Sequence, residues 1–250
     1  MATHALFLVF VAIAVYAQNL TGFALALILL GLVGLTDVVP LTDAVNAVTV
    51  MILVNAFTFL HRRWPLQLDR ALWPAVAASL LGAVAGVALL TWLAGVAYQC
   101  VRLLLGASIV ACALLLWRAT RPLQAPSPGR AFVVVGGLSG VLGGLFSAAG
   151  PPLVYLMYRQ PWTLERIQES LILFFGAGAV LRLAIVVATG HFSANAALLA
   201  AEAVPVVLAV TVFAANRPAP LPRAALKTIV CALLLLAGAG TFGSALVALT

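Results

Sequence analysis

The chain has 250 residues, of which 65% are hydrophobic and 8% are charged. About a quarter of the residues in an average soluble domain are charged, so this composition excludes a soluble globular protein and indicates a polytopic membrane protein. The formal net charge of +7 comes from arginines spread over short segments between apolar runs, which is typical of positive-inside loops and not of a nucleic-acid-binding surface.

The first predicted element is an uncharged apolar run from Ala5 to Thr36. No basic segment precedes it, so we interpret it as part of the membrane domain and not as a cleaved signal peptide. The run is too long for one span of about 20 residues and too short for two. The polar stretch from Gln18 to Gly22 divides it, with Asn19 or Thr21 as the cap of a second half-helix. The pattern therefore predicts a helix, a break and a second helix.

Three ordinary spans follow, and a basic linker then separates the first half from a second half with the same layout. The linker runs from Arg118 to Arg130 and contains Pro and Ser. The predicted division is a first transmembrane repeat at 1–117, a cytoplasmic linker at 118–130 and a second repeat at 131–250. The predicted ordinary spans are Ala44–Leu60, Ala71–Leu93, Gln99–Trp117, Ile167–Ala188, Ala194–Ala214 and Ala224–Leu246.

The second half opens with another uncharged run, from Ala131 to Tyr158. Pro151 and Pro152 lack backbone donors and their rings clash with the preceding turn, so the run cannot be one continuous helix. Proline suits the first turn of a helix, which predicts a new helix start near Gly150. Inside a bilayer, broken backbone persists only where it is buried in protein or lines a wet cavity. Broken helices of this kind form the substrate sites of many secondary transporters.

The placement of charge decides between two topologies. If each broken run crosses the membrane once, the loop cations divide almost evenly between the two sides. If both broken runs return to the side from which they enter, the loop cations all lie on one side, as the positive-inside rule expects. A faint internal repeat, which places Arg102 on Lys227, supports two matching halves. We therefore predict an all-α polytopic membrane protein with two inverted repeats, each a broken or re-entrant helical hairpin plus three transmembrane helices, and with both termini extracytoplasmic.

Arg182 is the main candidate for a ligand-binding residue. A charge near the bilayer centre costs about 2.5–3.5 kcal/mol on insertion scales, so it usually faces the protein interior and has a partner. Glu202 lies at a similar depth in the next span and is the predicted partner, acting as a proton switch or counter-charge. The alternative is a buried Arg182–Glu202 pair that only holds two helices together.

The two helix breaks are the second candidate, because backbone N–H groups and helix dipoles at half-helix starts attract anions. The glycines from Gly136 to Gly144 are instead expected to allow close helix packing. Ser147 does not lie in a G-x-S-x-G motif, so we predict no enzyme activity. We predict no metal site and no cofactor. The predicted substrate-binding residues are Arg182, Ser147, Ala148, Ala149, Gly150, Asn19, Thr21 and Gly22.

Two stretches carry a resemblance to a known family: GLSGVLGGLFSAAGPPLVYLMYRQ at Gly137–Gln160 and ERIQESLILFF at Glu165–Phe175. The first-half sequences TGFALALILLGL and AVNAVTVMILVNAF look like a degenerate copy of them. With these motifs and its two-copy layout, the chain resembles the sulfite exporter TauE/SafE family of sulfonate permeases. The resemblance implies export, or less often uptake, of sulfur-containing anions such as sulfite or organosulfonates.

The sequence therefore predicts a secondary transporter in the bacterial inner membrane, with a small anion and the lipid bilayer as its partners. Its site would lie between half-helix ends at the membrane midplane. A passive anion channel, or an uptake permease for a different small organic anion, are the alternatives. Proton coupling through Glu202 and a homodimer are both compatible with the sequence, whereas nucleic acid is not an expected partner.

Overall fold

The computed structural model describes residues 2–66, 68–70, 72–96, 98–118, 123–147, 150–216 and 223–247. In these ranges the chain forms helices and connecting loops with no β-strand, as predicted. The described helices are α1 (Ala2–Thr21), α2 (Ala24–Thr36), α3 (Leu41–Arg62), α4 (Leu72–Val96), α5 (Tyr98–Arg118), α6 (Gly129–Phe146), α7 (Gly150–Tyr158), α8 (Leu164–Ala188), α9 (Ala194–Ala215) and α10 (Arg223–Val247).

Eight of the described helices are long and apolar enough to cross a bilayer, and the six predicted ordinary spans are confirmed to within a few residues. Polar residues cap the first turns of two of these helices. Thr163 accepts a hydrogen bond from the Arg166 amide at the start of α8, and Ser193 does the same for Ala196 at the start of α9. The other two helices, α2 and α7, have 13 and 9 residues. At about 20 and 14 Å they are too short to cross a hydrocarbon core of about 30 Å.

Both predicted breaks are present, and they have the same geometry. Gly22 ends α1 with φ +88° and Ser147 ends α6 with φ +55°, both in the left-handed region. Each residue donates its N–H to the carbonyl four residues earlier, Gly22 to Gln18 at 2.6 Å and Ser147 to Gly143 at 2.8 Å. After the second break α7 begins at Gly150, as the proline pair predicts.

The predicted capping of α2 by Asn19 or Thr21 is wrong. Phe23 is the N-cap residue and makes no side-chain cap hydrogen bond, while the Thr21 hydroxyl donates back to the Ala17 carbonyl at 2.7 Å. The Gln18 side chain satisfies the start of α2 instead, because its Oε1 accepts from the Leu25 amide at 3.0 Å. The side chain that reaches from α1 to the first amides of α2 has to be longer than that of Asn or Thr, because Gly22 and Phe23 separate the two helices.

The second broken run forms a hairpin that returns to its own starting end. The Leu123 amide, ahead of α6, donates to the carbonyl of Arg159, just after α7, at 2.7 Å. The Gln160 side chain accepts from the Ser127 amide at 2.9 Å. The segment before α6 and the segment after α7 are therefore neighbours, which requires α7 to run back towards the start of α6.

The first broken run forms a hairpin as well. Helix α1 runs in the same direction as α9, because His4 contacts Glu202 and Asn19 contacts Thr211 farther along both helices. Helix α3 also runs in the same direction as α9, since their first turns are in contact and so are their last residues. Because α1 and α3 run in one direction, α2 between them runs back.

Four arginine-bearing segments gather at one end of the molecule, which we call the basic end. The linker contacts the α7–α8 loop, as described above. Arg166, in the first turn of α8, pairs at 2.7 Å with Asp69, which precedes α4. Arg62 at the end of α3 donates to Asn216 after α9 at 3.1 Å. The start of α3 and the end of α8 therefore lie at the opposite end.

The two halves use equivalent helix contacts. Helices α1 to α5 of the first half correspond in order to α6 to α10 of the second half. The contact between α1 and α9 corresponds to that between α6 and α4, and the contact between α3 and α9 to that between α8 and α4. The contact between α2 and α10 likewise corresponds to that between α7 and α5. Equivalent residues recur at nearly constant spacing: Gly22 and Ser147 are 125 residues apart, and Asp43 and Arg166 are 123 apart. Each hairpin thus packs mainly on helices of the other half.

The interface between α4 and α6 brings two backbones together. A Cβ atom added at Gly136, Gly140 or Gly144 would collide with the backbone of α4 at Ala75, Ser79 or Ala83. Three of the glycines expected to allow close packing therefore do so. A Cβ on Gly137 would come no closer than 4.0 Å to α4, and Gly143 lines a cavity.

Candidate functional site

Arg182 lies in α8 and is 2% exposed. Its Nε donates to the Gly144 carbonyl at 3.0 Å, and its Nη1 donates to Asn46 Oδ1 at 3.2 Å and to Thr49 Oγ1 at 2.8 Å. Its Nη2 has no hydrogen-bond partner. Among the described residues, none of the salt bridges includes Arg182. The site is therefore a buried cation that is held by neutral groups and has one donor group free.

Ser147 lies beside this cation at the second break. Its Oγ lies 2.5 Å from Thr49 Oγ1 and donates to the Val45 carbonyl at 3.1 Å. Thr49 therefore connects Ser147 to Arg182, because its hydroxyl oxygen contacts both side chains. The structure brings together two predicted site residues from different helices through a third residue on α3.

Helix α7 offers few amide donors to a ligand near the second break. Pro151 and Pro152 have no N–H, and the Leu153 amide already donates to Ser139 Oγ at 3.1 Å. Ala148 and Ala149, two of the predicted binding residues, lie outside the described residues, and Gly150 begins the helix. Within the described residues, Arg182 is therefore the main source of free donors at this break.

A cavity of about 20 Å³ lies next to Arg182. This volume holds about one water molecule and is too small for a sulfite ion or an organosulfonate. Helix α8 must therefore move away from α4 and α6 before such an anion can enter. The cavity is lined by Ser79, Ala83, Gly140, Gly143, Ser147, Phe174, Phe175, Gly178, Ala179 and Arg182.

Asn19 belongs to a second, separate polar cluster at the first break. The Asn55 side-chain amide donates to Asn19 Oδ1 at 3.2 Å and to Thr211 Oγ1 at 2.9 Å. Asn19 and Asn55 are 6% and 0% exposed, so the cluster is buried. Asn55 lies six residues beyond Thr49 in α3, or about 9 Å along the helix.

The remaining predicted residues of the first break, Thr21 and Gly22, also lie away from Arg182. The Tyr158 hydroxyl donates to the Thr21 carbonyl at 2.8 Å, and Gly22 packs on the α8 backbone at Gln168. Tyr158 is the last residue of α7, whose first turn lies at the second break, so the first break contacts the opposite end of α7. The expectation that both half-helix ends meet at one site is therefore corrected to two clusters.

Glu202 does not pair with Arg182. Its Oε2 lies 2.7 Å from Nδ1 of His4 in α1, and both side chains are partly exposed. The predicted Arg182–Glu202 pair is wrong because α3 packs against both α8 and α9 and lies between these consecutive helices. The functional role of Glu202 stays a prediction.

Sequence reasoning missed Thr49 as a site residue and treated Asn46 only as a helix-packing residue. Both side chains face Arg182 from α3. A signal was available, because polar residues three positions apart in an apolar helix lie on the same face.

Arg102 is the second buried arginine, with 6% exposure. It donates to the Gly34 carbonyl near the end of α2, to Asp37 Oδ2 at 3.2 Å and to Ser244 Oγ at 3.1 Å. A cation that binds the last carbonyls of a helix stabilises the helix end, so Arg102 has a structural explanation that Arg182 lacks.

Comparison with known proteins gives two matches. The sequence profile described as Sulfite exporter TauE/SafE matches residues 6–241. A protein of Cupriavidus necator named as a probable sulfite/organosulfonate exporter TauE is 32% identical over 228 residues, which cover 90% of this chain and 88% of that protein. No solved structure shows a significant match.

Proposed function

This chain belongs to the sulfite exporter TauE/SafE family, whose members are transporters and not enzymes, and we propose that it is a secondary transporter that exports a small sulfur-containing anion such as sulfite or an organosulfonate. One observation carries the proposal of an anion site. Arg182 is buried without a carboxylate partner among the described residues, and its Nη2 is free. An anion bound there would supply the missing charge.

The proposed site lies at the second break. Arg182 Nη2 would bind the anion oxygens, with Ser147 beside it and the start of α7 at Gly150 oriented so that its dipole favours negative charge. Ala148 and Ala149 belong to the proposal because they connect Ser147 to Gly150. We assign Asn19, Thr21 and Gly22 to a second polar position on the route through the protein.

We also propose that 1–117 and 131–250 are inverted repeats around a cytoplasmic linker at 118–130. The equivalent helix contacts of the two halves support this, as does the opposite direction of α3 and α8. The arginines at the basic end favour a cytoplasmic location for that end in the bacterial inner membrane, which makes both termini extracytoplasmic.

Thiol labelling tests the orientation. In a variant with the three native cysteines replaced by serine, single cysteines at Ala125 and Pro161 should react only from the cytoplasmic side. A cysteine at His191 should react only from the other side, because this residue follows α8 at the end opposite to the basic end. Labelling of Ala125→Cys and Pro161→Cys from different sides would contradict the hairpin topology in the membrane.

Flux into proteoliposomes tests the function itself. We expect sulfite or organosulfonates to be transported in preference to carboxylates and inorganic anions such as chloride, and to be concentrated when a pH gradient is imposed. Glu202, which we propose as the coupling or counter-charge group beside His4, should be required for that concentration: Glu202→Gln should still exchange substrate but no longer concentrate it. Downhill flux that no gradient can drive uphill would indicate a channel, and failure to move any sulfur anion would contradict the proposed substrate class.

A further inference from the structure

We infer that the part of the cavity beside Arg182 that lies between α6 and α8 binds the organic group of an organosulfonate, and that Gly178 limits the size of this group. The inference rests on the proposed function and specifies the substrate of that site. It follows from the distribution of polar and apolar groups around the cavity, from the spacing of residues along α8 and from the space next to Gly178.

The cavity has a polar part and an apolar part. Arg182, Ser147 and Ser79 form the polar part, while Phe174, Phe175 and Ala179 of the same lining are apolar. Sulfite presents oxygens and a lone pair, and gains nothing specific from an apolar wall. A sulfonate has an anionic head on one side and a carbon group on the other, which matches both parts of this lining.

The apolar part extends along α8 from the cation. Phe174, Gly178 and Arg182 are spaced four residues apart, so they lie on one face of the helix. Gly178 is about 6 Å and Phe174 about 12 Å from Arg182 along the helix axis. A carbon chain gains roughly 1.3–1.5 Å per bond, so a group of about three or four carbons on a sulfonate bound at Arg182 spans about 4–6 Å and reaches the level of Gly178.

Gly178 keeps this face open. A Cβ atom added there meets nothing within 4 Å, whereas one added at Gly140, on the opposite wall of the cavity, collides with the α4 backbone. The two cavity glycines therefore differ: Gly140 is required for helix packing, and Gly178 leaves free space beside the ligand. A Cβ atom at position 178 would therefore occupy open space beside the cavity without touching the backbone of another helix.

A size series of ligands tests this assignment with Gly178→Val. Inhibition of sulfite flux by methanesulfonate, ethanesulfonate, propanesulfonate and butanesulfonate would be measured in proteoliposomes. We expect Gly178→Val to weaken inhibition by propanesulfonate and butanesulfonate about tenfold or more, because a lost methylene-sized space typically costs that much. Sulfite flux and inhibition by methanesulfonate should change less than inhibition by the two longer ligands, because neither sulfite nor methanesulfonate carries a carbon chain that reaches Gly178.

Gly243→Val is the matched control. Gly243 also has nothing within 4 Å of an added Cβ and is also half-buried, but it lies in α10 and does not line the cavity. It should leave the whole series unchanged. If Gly178→Val does not insert, Gly178→Ala adds only the Cβ for which the structure has room, and should shift the two longest ligands alone.

The outcomes separate this inference from the proposed function. Two results would overturn the proposed site for the organic group and leave the anion site standing: sulfite transport that no alkanesulfonate inhibits, or an equal effect of Gly178→Val on short and long ligands. If the unmodified protein transports no sulfur anion at all, the proposed function is contradicted, and the site for the organic group with it.

Discussion

Replacing Arg182 with alanine should weaken sulfite binding about 10- to 100-fold and so reduce sulfite transport to a small residual flux, while the protein still folds and inserts. The substitution removes the free donor proposed to bind the anion, and a charge-assisted hydrogen bond contributes about 1.5–3 kcal/mol, or about 10- to 100-fold in affinity. Because no carboxylate among the described residues pairs with Arg182, its removal leaves no opposite charge buried alone. The substitution also removes the hydrogen-bond partner of Thr49, Asn46 and the Gly144 carbonyl. We therefore expect the free energy of unfolding to fall by about 1–3 kcal/mol.

Two other variants make the Arg182 result specific. Arg182→Lys keeps the charge but loses the planar fork of donors, so it should bind sulfite more weakly than the unmodified protein and more strongly than Arg182→Ala. Arg102→Ala removes the other arginine that is buried among the described residues, which should lower thermal stability and leave sulfite binding intact. The measurements are flux in proteoliposomes and the sulfite-dependent shift in unfolding temperature. Normal sulfite flux through Arg182→Ala would refute the anion site.

Gly140→Ala should destabilise the protein strongly, whereas Gly137→Ala on the same helix should not. At Gly140 the new methyl group meets the α4 backbone at Ser79, so the two helices must move apart. Forcing extra atoms into a packed interface costs about 1–3 kcal/mol and occasionally more. At Gly137 the nearest atom, the Ala78 carbonyl oxygen, is 4.0 Å away, and the higher helix propensity of alanine favours folding by up to about 1 kcal/mol.

Thermal unfolding in detergent measures this difference. A loss of about 1–3 kcal/mol corresponds to a fall of roughly 2–12 °C in unfolding temperature for a chain of this size. Gly137→Ala controls for the general effect of exchanging glycine for alanine in α6. Equal unfolding temperatures for the two variants would mean that the close contact between α4 and α6 does not limit stability.

The sequence was sufficient for the parts of the fold that depend on local chemistry. Pro151 and Pro152 cannot continue a helix, and the uncharged runs are too long for one span, so both breaks and the six ordinary spans followed directly. The arginine distribution predicted that both broken runs return, and the contacts at the basic end agree with this arrangement. These features depend on residue type, run length and charge, which a single sequence contains.

The candidate site depends on packing between the halves, and there the sequence was a poor guide. Consecutive helices α8 and α9 were expected to be neighbours, but α3 lies between them, so Glu202 contacts His4 and not Arg182. Thr49 was missed because its importance comes from facing both Ser147 and Arg182, which lie far away in sequence. The separation of the breaks was missed because nothing in either break indicates which helix it will contact.

The glycine-lined contact between α4 and α6 constrains the motion that could admit a substrate. Two helices whose backbones touch resist large tilts against each other, because tilting brings their atoms into overlap, so we expect this pair to move together. The cavity beside Arg182 is enclosed by that pair on one side and by α8 on the other. Opening the cavity is therefore expected to be a displacement of α8 against a unit built from both halves of the chain. The boundary between the moving parts would then differ from the boundary between the two halves.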